Sequence, residues 1–202
     1  MSSKDGRTGV FGGTFDPVHV GHLAAAAAAI ECARLDRVIF MPSGQPPHRP
    51  SAAASPEHRL EMTRLATAGD PRFAVSDIEL RRPGVSYTSD TIRELHALHP
   101  RAELFLILGW DAARQFSTWH RPEGVRELAT IVVVARPGSS SPQPADLEAS
   151  GLGGDRVILC MERTPNVSAS GIRDDIESGR SIEGRVAPAV QRYIATHHLY
   201  AE

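Results

Sequence analysis

Lysine is all but missing from this chain: Lys4 is the single one among 202 residues, so phosphate held inside the fold must be met by arginine, histidine or backbone N–H groups. The same shortage removes the G-x-x-x-x-G-K-[ST] phosphate loop, and no G-x-G-x-x-G dinucleotide fingerprint is present either. Cysteine is nearly absent too. Cys32 and Cys160 stand far apart without C-x-x-C or zinc-ligand spacing, which predicts two buried, reduced thiols in a reducing compartment. No apolar run reaches the roughly 20 residues of a membrane span, and residues 1–7 lack the apolar stretch of a secretory signal. The expectation is a cytoplasmic protein with no membrane partner. A formal charge of −2 is far from the polycation that binds nucleic acid backbones, so polymeric DNA or RNA is not an expected partner.

What is present is enough for one substantial core, with 41% apolar residues. Residues 1–202 read as a single domain, with a core of about 7–166 and a C-terminal helical extension of about 167–202. Short apolar, β-branched runs at 8–11, 37–41, 73–78, 103–108, 130–135 and 156–161 predict strands. Helical sequence lies between most of them, at 23–35, 56–68 and 88–98, and two more helices are expected at 168–177, capped by Ser168 or Ser170, and at 188–196. The Ser-, Pro- and Gly-rich stretch 137–155 reads as a loop or poorly ordered insert. Strands alternating with helices imply right-handed crossovers, hence an α/β fold: a Rossmann-like, doubly wound parallel sheet of about six strands with C-terminal helices. Ligands of such sheets bind beyond the carboxyl ends of the strands.

The loop after the first strand is Gly12-Gly13-Thr14-Phe15-Asp16-Pro17-Val18-His19-Val20-Gly21-His22, with a helix starting near Gly21. Paired glycines let backbone approach a ligand, and a helix start offers N–H groups and positive potential. His19 and His22, three residues apart, fall on one side of the first turn, with Gly21 between them leaving room. Three readings stay open for the pair: rings satisfied in the fold, a metal pair with no third ligand nearby, or a phosphate site, which the glycines and the helix start favour.

The string from Gly12 to His22 resembles the GGTFDPxHxGH signature of bacterial nicotinate mononucleotide adenylyltransferases, within the HxGH nucleotidyltransferase superfamily, and matches it at every fixed position. Further segments follow in the family's order, leaving out only the tail before Arg7 and the 137–155 stretch. Pro42-Ser43-Gly44-Gln45-Pro46-Pro47-His48-Arg49 is similar to the loop that meets the pyridine nucleotide, implying Ser43, His48 and a phosphate-gripping Arg49; otherwise Arg49 is a solvated loop residue. Gly84-Val85-Ser86-Tyr87-Thr88 resembles the segment that recognises the same nucleotide near Tyr87 and Thr88, or is simply a turn before a Thr N-cap. Gly109 and Asp111 in Gly109-Trp110-Asp111 match a G-x-D near the adenosine ribose, unless Asp111 only caps a helix. Trp119 aligns with a tryptophan that stacks on the nicotinate ring, a role suited to an indole facing a pyridinium, with core packing as the alternative. Arg136 in Arg136-Pro137-Gly138 falls on the nucleotide side. Val167-Ser168-Ala169-Ser170-Gly171-Ile172-Arg173 is similar to the I-S-S-T-x-I-R motif that closes over ATP phosphates, and departs from it at Val167, Ala169 and Ser170, which puts any role of a middle hydroxyl in doubt.

The resemblance implies adenylyl transfer from ATP to nicotinate mononucleotide, giving nicotinate adenine dinucleotide and pyrophosphate in NAD biosynthesis. His19, His22, Arg49 and Arg173 would be the catalytic set; Gly12, Gly13, Thr14, Phe15, Gly109, Asp111, Arg136, Ser168, Ser170 and Ile172 would help bind ATP. Mg2+ would travel with the triphosphate, so no protein metal site is expected. Pantetheine-phosphate, glycerol-phosphate and amidated-nucleotide transferases are the rival enzymes, a nucleotide-sensing domain without turnover is the rival class, and a homo-oligomer stays open.

Overall fold

The computed structural model describes residues 6–45, 52–135 and 142–201. Along these the chain runs β1 (Arg7–Gly13), α1 (Val20–Ala33), β2 (Arg37–Pro42), α2 (Pro56–Thr67), β3 (Phe73–Val75), α3 (Ile78–Arg81) and α4 (Thr88–Leu98). It continues through β4 (Glu103–Gly109), α5 (Trp110–Ala113), a 3-10 turn (Phe116–Thr118), α6 (Pro122–Leu128), β5 (Ala129–Val134), α7 (Pro144–Ala149), β6 (Val157–Cys160), α8 (Ala169–Glu177) and α9 (Pro188–Thr196). The strands form one parallel sheet in the order β3-β2-β1-β4-β5-β6. Strand order therefore reverses between β1 and β4, and a cleft opens there beyond the strand ends.

The period of two along each strand sorts the core. In β4, Phe105 and Ile107 join the layer containing α1, α8 and α9, while Leu104, Leu106 and Leu108 join the layer containing α4 and α6. Phe105, 1% exposed, shows the scale: truncating such a ring to Ala costs about 3–5 kcal/mol.

Helix ends follow local chemistry. Ser55 accepts the His58 N–H ahead of Pro56, which occupies the first helical position of α2, and Ser168 caps α8 by accepting the Gly171 N–H at 3.1 Å. Helix α1 instead stops in a left-handed Arg34 whose N–H reaches the Ile30 carbonyl.

Several expectations change. The strand expected over 73–78 stops at Val75, and Ile78 turns inward to begin α3. Within the supposed insert, residues 142–155 are folded: Leu152 is 1% exposed, and Arg126 on α6 donates to the carbonyls of Gly151 and Gly153. The cysteines are not separate thiols, because α1 packs on β6 and so sets Cys32 beside Cys160 at the end of that strand, and the two form a disulfide. Among the described residues, no helix is long and apolar enough to cross a membrane.

Candidate active site

Two chambers open at the β1/β4 switch point. The first, about 350 Å3, is lined by Gly12, Gly13, Thr14, Phe15, Asp16, His19, Gly21 and His22 from the β1–α1 loop, by Gly109 and Asp111 after β4, and by Val167, Ala169 and Arg173 at the start of α8. The second, about 440 Å3, is lined by Ser43 after β2, Glu79, Ser86, Tyr87, Thr88 and Thr91 around the start of α4, and Arg114, Trp119 and His120. Gly12, Gly13, Thr14, Leu108, Asp111 and Ala112 belong to both, so the chambers meet where β1 and β4 end.

The histidines sit at the mouth of α1. His19 is the N-cap, 3% exposed, and its backbone N–H donates to His22 Nδ1 at 3.2 Å. With Nδ1 accepting, the His22 proton resides on Nε2, the atom able to donate to a phosphate oxygen. The two rings stack with centroids 3.6 Å apart, and Phe15 stands edge-on against His22 at 5.0 Å. Gly21 is a packing requirement: a Cβ there would lie 3.1 Å from His19 Nδ1 and 3.2 Å from the Pro165 carbonyl. The motif's glycine thus permits His19 to lie between α1 and the segment before α8.

Asp16 anchors the loop from beneath. Its carboxylate, 5% exposed, accepts the N–H groups of Ala53 and Ala54, at 2.7 and 3.1 Å, and the Tyr200 hydroxyl at 2.7 Å. Burial first, and then that bond to Asp16, push the Tyr200 hydroxyl well above its ordinary pKa, so it stays a donor. Arg173 Nη1 donates to the Asp16 carbonyl at 2.7 Å, and Arg59, 1% exposed, donates to the Thr14 carbonyl at 2.7 Å. Burial lowers the Arg59 pKa, opposed by the charge of Asp16, yet a guanidinium remains a cation beneath the β1–α1 loop. Sequence reasoning assigned no role to Asp16, Arg59 or Tyr200. Only Asp16, inside the signature, carried a signal that could have singled it out.

The first chamber brings together Gly12, Gly13, Thr14, Phe15, His19, His22, Gly109, Asp111 and Arg173; the second brings together Ser43, Tyr87, Thr88 and Trp119. His48, Arg49 and Arg136 lie outside the described residues. Three expected positions do not line the chamber. Ile172 is fully buried in the core and its N–H is used by the Ser168 carbonyl, so it packs α8 instead of facing a ligand. The Ser168 hydroxyl caps α8, and Ser170 Oγ lies 3.3 Å from it, on the exposed side of the helix start. The N-cap of α4 is Tyr87, with Thr88 as the first helical residue, so the expected Thr cap is shifted by one. Gly84, at φ +85°, makes the turn before it in a conformation that favours glycine. Trp119 is half-buried, its ring 5.4 Å from Phe116, and Tyr87 packs against His120 at 4.2 Å.

A parallel sheet with an HxGH helix start at its switch point, serving two adjoining chambers, defines a nucleotidyltransferase. The cytidylyltransferase-like family model matches residues 10–175, and the chain belongs to that family. A "probable nicotinate-nucleotide adenylyltransferase" of Thermus thermophilus is 46% identical over 96% of this chain and 99% of its own length, and one of Thermomicrobium roseum is 42% identical over 96% and 91%. Among solved structures, Plasmodium falciparum nicotinic acid mononucleotide adenylyltransferase complexed with NaAD superposes with a TM-score of 0.79 over 96% of this chain and 97% of that one. At 17% identity this shows a shared fold.

Proposed function

We propose that the enzyme transfers the adenylyl group of ATP to nicotinate mononucleotide, forming nicotinate adenine dinucleotide and pyrophosphate, as the names of its relatives suggest. The observation that carries this reading is the pair of chambers joined at Gly12–Thr14 and Asp111, one holding the histidines and Arg173, the other Tyr87, Thr88 and Trp119. Two nucleotides seated there would meet phosphate to phosphate.

The acceptor's 5′-phosphate attacks the α-phosphorus in line. A new P–O bond forms, the bond to the bridging oxygen of the β-phosphate breaks, and that electron pair leaves with pyrophosphate. The attacking oxygen is already anionic near neutral pH, so positioning and charge neutralisation supply the catalysis. His22, through Nε2–H, and His19 donate to the α- and β-phosphate oxygens, the N–H groups at the starts of α1 and α8 add positive potential, and Arg173 and Arg49 share the remaining charge. Trp119 stacks on the pyridinium ring, and Asp111, lining both chambers, meets the adenosine ribose.

Mg2+ would be carried by the triphosphate and would supply charge neutralisation at its nonreacting oxygens. Both carboxylate oxygens of Asp16, which lines the first chamber, are already hydrogen-bonded within the protein. The reading takes residues 1–202 as one cytoplasmic nucleotidyltransferase domain, with α8 and α9 as its C-terminal extension.

Pyrophosphate release from ATP and Mg2+ with nicotinate mononucleotide, nicotinamide mononucleotide or phosphopantetheine tests it. Release confined to nicotinate mononucleotide is expected. Preference for another acceptor overturns the substrate assignment, and no release with any of them favours a sensor.

A further inference from the structure

The acceptor chamber contains a carboxylate that the transfer chemistry does not use. Glu79, on the short helix α3, is 7% exposed and lines the chamber. A negative charge is an odd neighbour for an anionic acceptor unless its lone pairs serve the protein. They do: Thr91 Oγ1 donates to Glu79 Oε1 at 2.8 Å. The Thr91 hydroxyl has one proton, and the Tyr87 carbonyl at 3.3 Å is the poorer acceptor. Arg82 Nη1 in turn donates to Thr91 Oγ1 at 3.1 Å, and Arg82 pairs with Glu94 at the surface, so a polar chain runs from solvent to the chamber wall.

Glu79 meets the two segments that hold the candidate acceptor contacts: its carboxylate takes Thr91, one turn into α4 from Tyr87 and Thr88, and its backbone lies against Gly44, which follows Ser43. The segments are tightly joined: the Ser86 N–H donates to the Gln45 carbonyl at 2.9 Å, and a Cβ on Gly44 would sit 2.7 Å from the Glu79 carbonyl oxygen and 2.8 Å from Ser86 Oγ. Ser43 Oγ and Ser86 Oγ are buried without a hydrogen-bond partner, and both residues line the chamber. Orphaned hydroxyls at a chamber wall mark it as one made to receive a polar ligand.

We propose that Glu79 is a positioning residue for the acceptor nucleotide, its carboxylate holding Thr91, and through the first turn of α4 Tyr87 and Thr88, in the arrangement that forms the chamber wall. The inference rests on the acceptor reading above. Glu79→Gln keeps the size but replaces the charged acceptor of the Thr91 hydroxyl by a neutral amide. Thr91→Val removes the other end of the same bond at nearly constant volume. Stability sets a different expectation: burial pushes the Glu79 carboxyl above the usual carboxylate range, so the ionised form is the less comfortable one in the fold.

The test measures kcat and KM for each substrate, with thermal unfolding alongside. In Glu79→Gln the KM for nicotinate mononucleotide should rise about tenfold, the scale of one charge-assisted hydrogen bond, while the KM for ATP stays within about twofold and the Tm at neutral pH within about 3 °C. Thr91→Val should reproduce the split, Thr91→Ser should recover most of it, and the double variant Glu79→Gln/Thr91→Val should be no worse than either single one. If both KM values move together, or neither moves, the positioning role is wrong although the acceptor assignment stands. If the wild-type enzyme does not turn over nicotinate mononucleotide at all, the acceptor assignment falls and takes this role with it.

Discussion

Replacing His22 by Ala removes one donor from the chamber proposed to hold the triphosphate and leaves the proposed acceptor chamber untouched, since His22 lines only the first. Two costs follow. The catalytic one is the loss of a preorganised N–H aimed at phosphate charge that grows in the transition state, worth roughly 10²- to 10³-fold in kcat, or about 2.7–4 kcal/mol. The structural one is the loss of the Nδ1 acceptor for the His19 N–H, about 1 kcal/mol, together with part of the stack on His19 and the edge contact with Phe15. For a chain of this size that second cost lowers Tm by about 2–4 °C per kcal/mol. Pyrophosphate release followed with each substrate varied in turn, beside thermal unfolding, separates the two. The expected result is a kcat down at least about a hundredfold, an acceptor KM within about threefold, and a Tm drop of only a few degrees. A folded variant whose kcat changes less than about threefold would refute the phosphate role of His22. A Tm drop beyond about 10 °C would instead mean that the ring holds the loop together.

Asp16→Asn keeps the shape but leaves one of three donors unmatched and the buried Arg59 without its neighbouring charge, so about 3–5 kcal/mol of stability should go, read as a Tm lower by roughly 6–20 °C; an unchanged Tm would sink the anchoring argument. Gly21→Ala should lower kcat by displacing the His19 ring against the fixed Pro165 carbonyl, with little change in Tm, as steady-state kinetics and unfolding together will show. Trp119→Ala should raise the acceptor KM by roughly 5- to 100-fold, the range of one stacking contact, and leave the ATP KM near wild type. Between acid and neutral pH the Glu79 carboxyl works in one direction. Its folded pKa is raised, so its contribution to stability is full below the unfolded value and is lost as pH rises through the folded one. Tm curves of Glu79→Gln and wild type against pH should therefore shift in favour of the variant as pH climbs from about 4 towards neutrality.

The pattern of residues along the chain determined the elements and their layering. The short apolar run over 103–108 and the helical period in 88–98 are local signals, and they yielded β4 and the bounds of α4 directly. The signature from Gly12 to His22 also declared its own place, because its glycines, its N-cap and its first helical turn are neighbours in sequence. Elements under a turn or two in length, such as α3 and α5, escaped because four residues carry too little periodicity to detect. What the tertiary structure alone decided are the pairings between distant positions. Asp16 meets Tyr200 across 184 residues, Cys32 meets Cys160 across 128, and Glu79 finds Thr91 on a separate helix. Ile172, one position before the chamber-lining Arg173, turns out to be core for the same reason: on a helix, adjacent residues point about 100° apart, and only the packing of α8 on the sheet settles which of them faces the chamber.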